Sequence, residues 1–183
     1  MTLFEFVSVA VSIVLALSAG QILLNLREVF DPNRRYWVHA VWVVQALIIH
    51  VLVWWSLWAY RDIQWDLASF VLVLVPAGVL FVMSSALVPN SSSTVTSWEA
   101  HFFEVRRWFF AARILFIIGA GFRSWFLLEK PILESPTPVS QLILVLLIAG
   151  ILIANRRFQG VLAVVTSVLL VFVAYVRLEA GAG

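Results

Sequence analysis

The chain has 183 residues, of which 63% are hydrophobic and only 12% are charged, and its mean hydropathy is +1.02. A soluble domain usually has about a quarter of its residues charged and leaves much of its surface in water, so this composition excludes an ordinary soluble fold. The net charge is only +2 and the arginines are dispersed, which argues against a nucleic-acid partner; the absence of cysteine excludes disulfides, thiolate catalysis and cysteine-bound metals.

Six apolar stretches have about the length needed to cross the hydrocarbon core of a bilayer, which takes roughly 17–25 helical residues. We therefore predict an all-α integral membrane protein, a bundle of about six transmembrane helices joined by short loops. The predicted spans are residues 3–26, 38–60, 67–88, 108–128, 139–154 and 161–176, which leave no room for a separate domain. The last two spans are joined by a short hairpin and should lie antiparallel and adjacent.

The first predicted span contains small side chains at steps of four residues, which would let another helix approach closely. This row predicts either a contact within the bundle or a seam between copies, or a face that lines a pore. Glu5 lies near one end of the same span, where it is either an interfacial carboxylate or the partner of an arginine from a neighbouring helix end. The predicted packing residues are Ser8, Ser12, Ala16 and Gly20.

His50 lies near the middle of the second predicted span, where a titratable side chain is costly unless it faces protein or water. Its simplest interpretation is a neutral imidazole bonded to a hydroxyl or carbonyl group of a neighbouring helix. A proton or ion path is the alternative, and haem or metal ligation together with His39 is the third. His39 lies eleven residues earlier on the same helix face, and His101 is placed where it could contact His39 but not His50.

Residues 98–107 mix aromatic and charged side chains immediately before the fourth predicted span, which predicts an amphipathic helix at the membrane interface. The residues assigned to this interfacial segment are His101, Glu104, Arg106 and Arg107. Arg113 falls inside the span, where it would extend to lipid phosphate, pair with Glu28 or Asp31, or contact an anion.

The orientation of the bundle follows from the lysines and arginines in its loops, because the richer side is usually cytoplasmic. One side receives seven of these residues and the other four, which places both termini outside. The seven are Arg27, Arg34, Arg35, Arg106, Arg107, Arg156 and Arg157, and the four are Arg61, Arg123, Lys130 and Arg177.

The sequence contains no nucleotide-binding loop, catalytic triad elbow or metalloprotease helix, so it indicates no catalytic residue, no metal site and no cofactor. The first functional hypothesis is a structural or accessory membrane subunit, in a bacterial inner membrane, whose partners are lipid and either its own copies or other membrane subunits. The second is a small channel or transporter with a pH-sensitive path formed by His50, His39, Glu5 and Arg113. The third is a haem or quinone redox subunit.

Overall fold

The computed structural model describes residues 2–129 and 138–181, and for residues 177–181 it describes the backbone alone. The described part is 84% helix and contains no strand. Its helices are α1 (Leu3–Leu24), α2 (Leu26–Val29), α3 (Trp37–Ser56), α4 (Leu67–Leu87), α5 (Trp98–Leu128), α6 (Pro138–Leu152) and α7 (Arg156–Gly181).

Five helical segments of the described chain are long and apolar enough to cross a membrane: Leu3–Leu24, Trp37–Tyr60, Leu67–Thr94, Trp98–Leu128 and Arg156–Val176. The remaining apolar helix, α6, has 15 residues in the described part of the chain, which at 1.5 Å per residue is about 22 Å. This length is less than the roughly 30 Å thickness of the hydrocarbon core. The described residues therefore contain five full-length spans and one shorter apolar helix, where six spans were predicted.

Three of the long helices, α1, α4 and α5, begin where a polar side chain accepts a hydrogen bond from a free backbone amide group. In α1, the Thr2 hydroxyl group accepts from the amide of Glu5, and the Glu5 carboxylate accepts in return from the amide of Thr2. Asp66 caps α4 and Ser97 caps α5 in the same way. Chemistry that is local in sequence therefore sets these helix starts.

The helices pack in a closed ring, in which each contacts the next in the order α1, α4, α5, α6, α7, α3 and again α1. Helix α3 also contacts α4 and α5 across the ring, so ten of its twenty residues are buried. The antiparallel contact of α6 with α7 confirms the hairpin predicted from the sequence. Three polar residues of α3 contact other helices: His39 contacts α5, Gln45 contacts α5 and α7, and His50 contacts α1.

Three arginine-rich segments meet at one end of the bundle, which we call the Arg-rich end. Arg34, in the loop before α3, donates to the carboxylates of Glu28 and Asp31 and to the carbonyl oxygens of Ser93 and Val95, at 3.1 and 3.0 Å. We call this arrangement the Arg34 clasp. Arg156, at the start of α7, binds the Glu99 carboxylate of α5 at 2.5 Å. Lys130 lies outside the described residues.

The Arg34 clasp changes the ionisation of its members. The backbone amide of Asn33 and then the Arg34 side chain lower the pKa of Asp31 below its usual value. Hydrogen bonds from Arg34 to Glu28 and Asp31 raise the pKa of Arg34. The clasp is therefore held in its charged form, and it joins the loop after α1 to the loop before α5.

The predicted interfacial helix at residues 98–107 is part of a longer helix in the structure. Residues 98–107 do not form a separate interfacial helix: they are the first three turns of the 31-residue helix α5. The charged residues in these turns suggested an interface, but Trp98, Phe102 and Arg106 are buried on the side that packs against the bundle. An amphipathic pattern has the same period whether its apolar face meets lipid or protein.

Candidate functional site

His50 is bonded on both sides of its ring to protein. Its Nδ1 atom lies 2.7 Å from the carbonyl oxygen of Ala46, which can only accept, and its Nε2 atom lies 2.6 Å from the hydroxyl oxygen of Ser18 on α1. In the neutral imidazole, Nδ1 therefore donates and Nε2 accepts from Ser18. Ser84 on α4 lies 3.0 Å from the same Ser18 oxygen. A hydroxyl group and a carbonyl group thus satisfy His50, which matches its simplest interpretation from the sequence.

Polar contacts continue from His50 along α1 and α4 towards the Arg-rich end. One turn on, Gln21 donates to the carbonyl oxygen of Val88 at 2.6 Å and accepts from Ser85 at 3.1 Å. Beyond it, Asn25 donates to the carbonyl oxygen of Gln21 at 2.8 Å and accepts from Ser92. We call this row the α1–α4 seam; its members are Ser18, His50, Ser84, Gln21, Ser85, Asn25 and Ser92.

Arg113 forms a second polar cluster with α3 and α7. Its side chain is only 2% exposed, its Nη1 donates to the amide oxygen of Gln45 at 2.8 Å, and its guanidinium group lies 5.0 Å from the Trp42 ring centroid. The amide nitrogen of Gln45 in turn lies 2.8 Å from Ser167 and 3.2 Å from Thr166. Among the described residues, Arg113 has no carboxylate partner, so neutral dipoles and an aromatic ring hold its charge.

Both specific expectations for Arg113 are thereby corrected. It does not extend to the surface, and Glu28 and Asp31 bind Arg34 instead. Gln45, which the sequence analysis did not select, is the residue that connects Arg113 to α7. A lone glutamine in an apolar span is itself a signal, because an amide group in that setting needs partners.

Arg106 was predicted to lie at the membrane interface, but like Arg113 it is buried. It is 4% exposed and donates to the carbonyl oxygens of Gly150 and Ile151, at 2.7 and 2.9 Å. These carbonyl groups end α6 and have no partner within the helix, so a cation there caps the helix and complements its dipole. Glu104 and Arg107 are exposed, as an interfacial position requires.

His39 and His101 lie together near the Arg-rich end. The His39 ring is stacked on Trp98 with 4.8 Å between centroids, and it lies edge to face with His101, with 5.8 Å between centroids. His39 is fully buried, yet neither of its nitrogen atoms has a hydrogen-bond partner in the described part of the chain. His39 and His50, eleven residues apart, thus have separate partners, and the structure does not bring them to one ligand.

The predicted packing row of α1 is not the face that α1 buries. The buried residues are Val7, Val11, Leu15, Ser18 and Ile22, whereas Ala16 is exposed and a Cβ atom at Gly20 would meet nothing within 4 Å. Ser12 does accept a hydrogen bond from Trp54 at 3.1 Å, and Ser8 is partly buried. Steps of exactly four residues drift by about 40° each around a helix of 3.6 residues per turn, so the row leaves the interface.

The four residues of the predicted polar path occupy four different surroundings. Glu5 belongs to the cap of α1, His50 to the α1–α4 seam, Arg113 to the Gln45 cluster and His39 to the Trp98 stack. The structure therefore joins His50 to serines rather than to the other three residues. No group of three or more His, Cys, Asp or Glu side chains that could hold a metal ion occurs in the part of the chain that is described.

A groove of about 1330 Å³ runs between α3 and α7. Its walls are mainly aliphatic side chains of residues 37–48 and 160–171, with Gln45 and Ser167 partway along. Its mouth, at the Arg-rich end, is formed by Arg35, Tyr36, Glu99, Arg156 and Arg157. We call it the α3–α7 groove.

Comparison with family models, curated proteins and solved structures finds no match to this chain. Its function is therefore argued from the contacts alone. Within the described residues, these contacts include the α1–α4 seam and the Arg113 cluster, both made between helices, and the α3–α7 groove extends to the Arg-rich end.

Proposed function

We propose that this chain is a multi-pass membrane protein, a bundle of six helices in a bacterial inner membrane, that acts by packing as a structural or accessory membrane subunit. The proposal rests on where the polar side chains of the long helices find their partners. His50, Arg113 and Arg106 bind groups on neighbouring helices, which holds the bundle together. No catalytic constellation arises from these contacts.

The outer surface supports the membrane setting. Large apolar side chains are exposed on every long helix, with fractions of 62% for Leu17, 64% for Val51 and 79% for Trp108. Contact of so many apolar side chains with water would be unfavourable, whereas contact with lipid or with another membrane protein would not. The short helix α6 would then be accommodated by local thinning of the bilayer or by its neighbours α5 and α7.

Self-association through α1 is the partner arrangement that this surface favours. The side of α1 facing away from the bundle exposes Val9 and Ile13. The same side carries Ala16, which is exposed, and Gly20, where a Cβ atom would meet nothing within 4 Å. Small residues on a lipid-facing side let a second helix approach closely, which is the main source of association where the hydrophobic effect is absent.

The mass of the purified particle tests the proposal. In mild detergent, we expect a homo-oligomer or a complex with other membrane proteins, and Ala16→Leu with Gly20→Leu should shift a homo-oligomer towards monomer. Gly119→Leu is the matched control, since a Cβ atom at Gly119 also meets nothing within 4 Å but the residue lies on α5. A strictly monomeric particle without co-purifying partners would count against a subunit role.

A second candidate function is a pH-sensitive proton path along the α1–α4 seam. The favouring observation is the row of hydroxyl, amide and imidazole groups from His50 to the loop before α5. A chain of this type can relay protons when water enters it, and histidine titrates in the physiological range.

Proteoliposomes containing a pH-sensitive dye separate the two candidates. A proton path predicts dye responses that change between pH 5 and 8 and are lost in His50→Ala. Substitution of His39, which packs against Trp98 and His101, should leave the flux unchanged. Equal flux in the wild type and His50→Ala would remove the proposed role of His50.

A further inference from the structure

We propose that the α3–α7 groove binds one anionic phospholipid, with an acyl chain along its aliphatic walls and the phosphate group at the arginines of its mouth. The inference rests on the bundle lying in a bilayer, as proposed above, but not on its acting as a subunit. The groove is a specific site on the chain, distinct from general contact with lipid.

The length of the groove fits one leaflet. Its walls extend over residues 37–48 of α3 and 160–171 of α7, which is eleven residue steps on each helix. At 1.5 Å per residue this is about 16 Å, close to half of the roughly 30 Å hydrocarbon core. A chain that enters at the Arg-rich end would therefore reach about the middle of the bilayer, as an acyl chain does.

The volume and the lining agree with an acyl chain. The groove, at about 1330 Å³, exceeds the roughly 300–1,000 Å³ of pockets for drug-sized molecules. The polar groups inside it already have partners, because the amide nitrogen of Gln45 lies 2.8 Å from the Ser167 hydroxyl oxygen. The walls therefore present aliphatic carbon, while the unsatisfied polar groups are at the mouth.

The charge at the mouth selects an anionic headgroup. Three arginines face a single carboxylate there, and Glu99 is bound to Arg156 at 2.5 Å. Arg35 and Arg157 are exposed, and neither makes an ion pair with any side chain in the described part of the chain. A phosphate group would meet two or three guanidinium groups, which bind phosphate in a bidentate manner.

The buried hydroxyl group of Tyr36 is a second, independent indication that a ligand binds at the mouth of the groove. Tyr36 lines the groove at the mouth and is 7% exposed, and its hydroxyl group has no hydrogen-bond partner within residues 2–129 and 138–181. Burial and then the Glu99 carboxylate raise the pKa of Tyr36, whereas the charge of Arg156 and its approach to the phenol oxygen lower it. An arginine can only donate, so the proton of the phenol still has no acceptor in the described part of the chain. A phenol with a free proton beside arginines can donate to a phosphate oxygen.

Native mass spectrometry of the protein in detergent micelles tests the site with two lipids that share their acyl chains. Dioleoyl phosphatidylglycerol is the anionic probe and dioleoyl phosphatidylcholine the zwitterionic control. We expect tighter binding of phosphatidylglycerol and a loss of roughly tenfold or more in Arg35→Gln with Arg157→Gln. Arg27→Gln with Arg107→Gln removes the same charge from exposed arginines outside the groove, and should change binding less than twofold.

A second pair of variants tests the walls without touching charge. Val164 lines the groove, and Val168, one turn further along α7, does not. Val164→Trp should weaken binding of both lipids, and Val168→Trp should not. Equal affinity for the two lipids, equal losses in the two arginine pairs, or unchanged lipid binding in Val164→Trp would each overturn the proposal. So would a dimer that Val164→Trp abolishes, because the occupant would then be a second copy.

Discussion

At the scale of single residues, the two buried histidines of α3 differ in what holds them. His50 has both ring nitrogens within hydrogen-bond distance of protein, at 2.6 and 2.7 Å, whereas neither nitrogen of His39 has a partner among the described residues. A buried hydrogen bond contributes about 1 kcal/mol, while an unsatisfied buried polar atom costs about 1–3 kcal/mol. The same substitution should therefore cost more stability at His50 than at His39.

We expect His50→Leu to lower the free energy of unfolding by about 0.5–2 kcal/mol, since hydrogen bonds between membrane helices average somewhat below 1 kcal/mol. His39→Leu should leave it within about 0.5 kcal/mol of the wild type or raise it, because the lost stacking on Trp98 is offset by removal of unpartnered nitrogens. Unfolding of detergent-solubilised protein by added SDS measures both. If His39→Leu lowered the free energy of unfolding more than His50→Leu does, His39 would have to form a stabilising hydrogen bond that is absent from the contacts described above.

The sequence indicated which polar residues need partners, but not which partners they find. His50 was expected to bond a hydroxyl or carbonyl group, and Ser18 and Ala46 provide them. For Arg113 the sequence offered lipid phosphate, Glu28 or Asp31, or an anion, whereas its acceptor is Gln45, 68 residues away in sequence. This pairing depends on how α3, α5 and α7 pack against one another, and a local sequence pattern does not predict that packing.

At the scale of the elements, close helix packing occurs at Gly150 of α6. A Cβ atom there would lie 2.7 Å from Leu162 and 2.8 Å from Phe110, and both of these side chains are buried. We expect Gly150→Ala to cost about 1–3 kcal/mol through overpacking. Gly119→Ala, in open space, should be neutral or stabilising by up to about 1 kcal/mol through helix propensity.

Thermal unfolding in detergent compares these two glycine variants directly. Both variants replace a helical glycine with alanine, so a difference between their Tm values reports how much space surrounds each glycine. Equal Tm values would mean that α6 can move away from α5 and α7 without loss, and the close contact at Gly150 would then carry no stability.

The Arg34 clasp should make the Arg-rich end sensitive to acid. Because the pKa of Asp31 is lowered on folding, its contribution to stability is complete above the unfolded value of 3.8 and is lost as pH falls through the lowered folded value. We expect Tm in detergent to fall as pH drops below about 4, and Arg34→Gln to lower Tm at pH 7 and to weaken the part of the acid dependence that Asp31 causes.

The control for the clasp is Arg61→Gln. Arg61 also pairs with an adjacent carboxylate, that of Asp62, but both side chains are well exposed, at 49% and 83%. Exposed pairs contribute little to stability, so this variant should keep the wild-type Tm and acid dependence. Equal behaviour of the two variants would mean that the clasp does not join the two loops in solution.

Helix positions followed from the sequence better than helix faces did. Apolar length placed α1, α3 and α4 close to their observed bounds. The row of small residues in α1 follows a different face from the one that packs in the bundle, because a step of four residues and a mean burial step of 3.75 residues diverge along the helix. Residues 98–107 were assigned to lipid for a related reason: the period of a pattern does not say which medium its apolar face meets.

At the scale of the whole molecule, composition and short loops were enough to predict a helical bundle and to group its loops. The loops expected on one side do meet at the Arg-rich end, where Arg34 reaches Ser93 and Arg156 reaches Glu99. At the other end, Arg61 lies over Trp58, and Arg123 donates to the Tyr60 hydroxyl group at 2.9 Å. The full ring of contacts could not be predicted, since α3 meets α7 more than 100 residues away in sequence.

The proposed orientation in the membrane predicts that the Arg-rich end is cytoplasmic. The chain contains no cysteine, so a single introduced cysteine reports its own accessibility without background. Ala154→Cys lies in the turn between α6 and α7 at the Arg-rich end, and Asp62→Cys lies at the opposite end; both positions are exposed. In bacterial spheroplasts, a membrane-impermeant maleimide should label Asp62→Cys at once and Ala154→Cys only after permeabilisation. The reverse pattern would invert the orientation, and immediate labelling of both would contradict a bundle that separates its two ends by a bilayer.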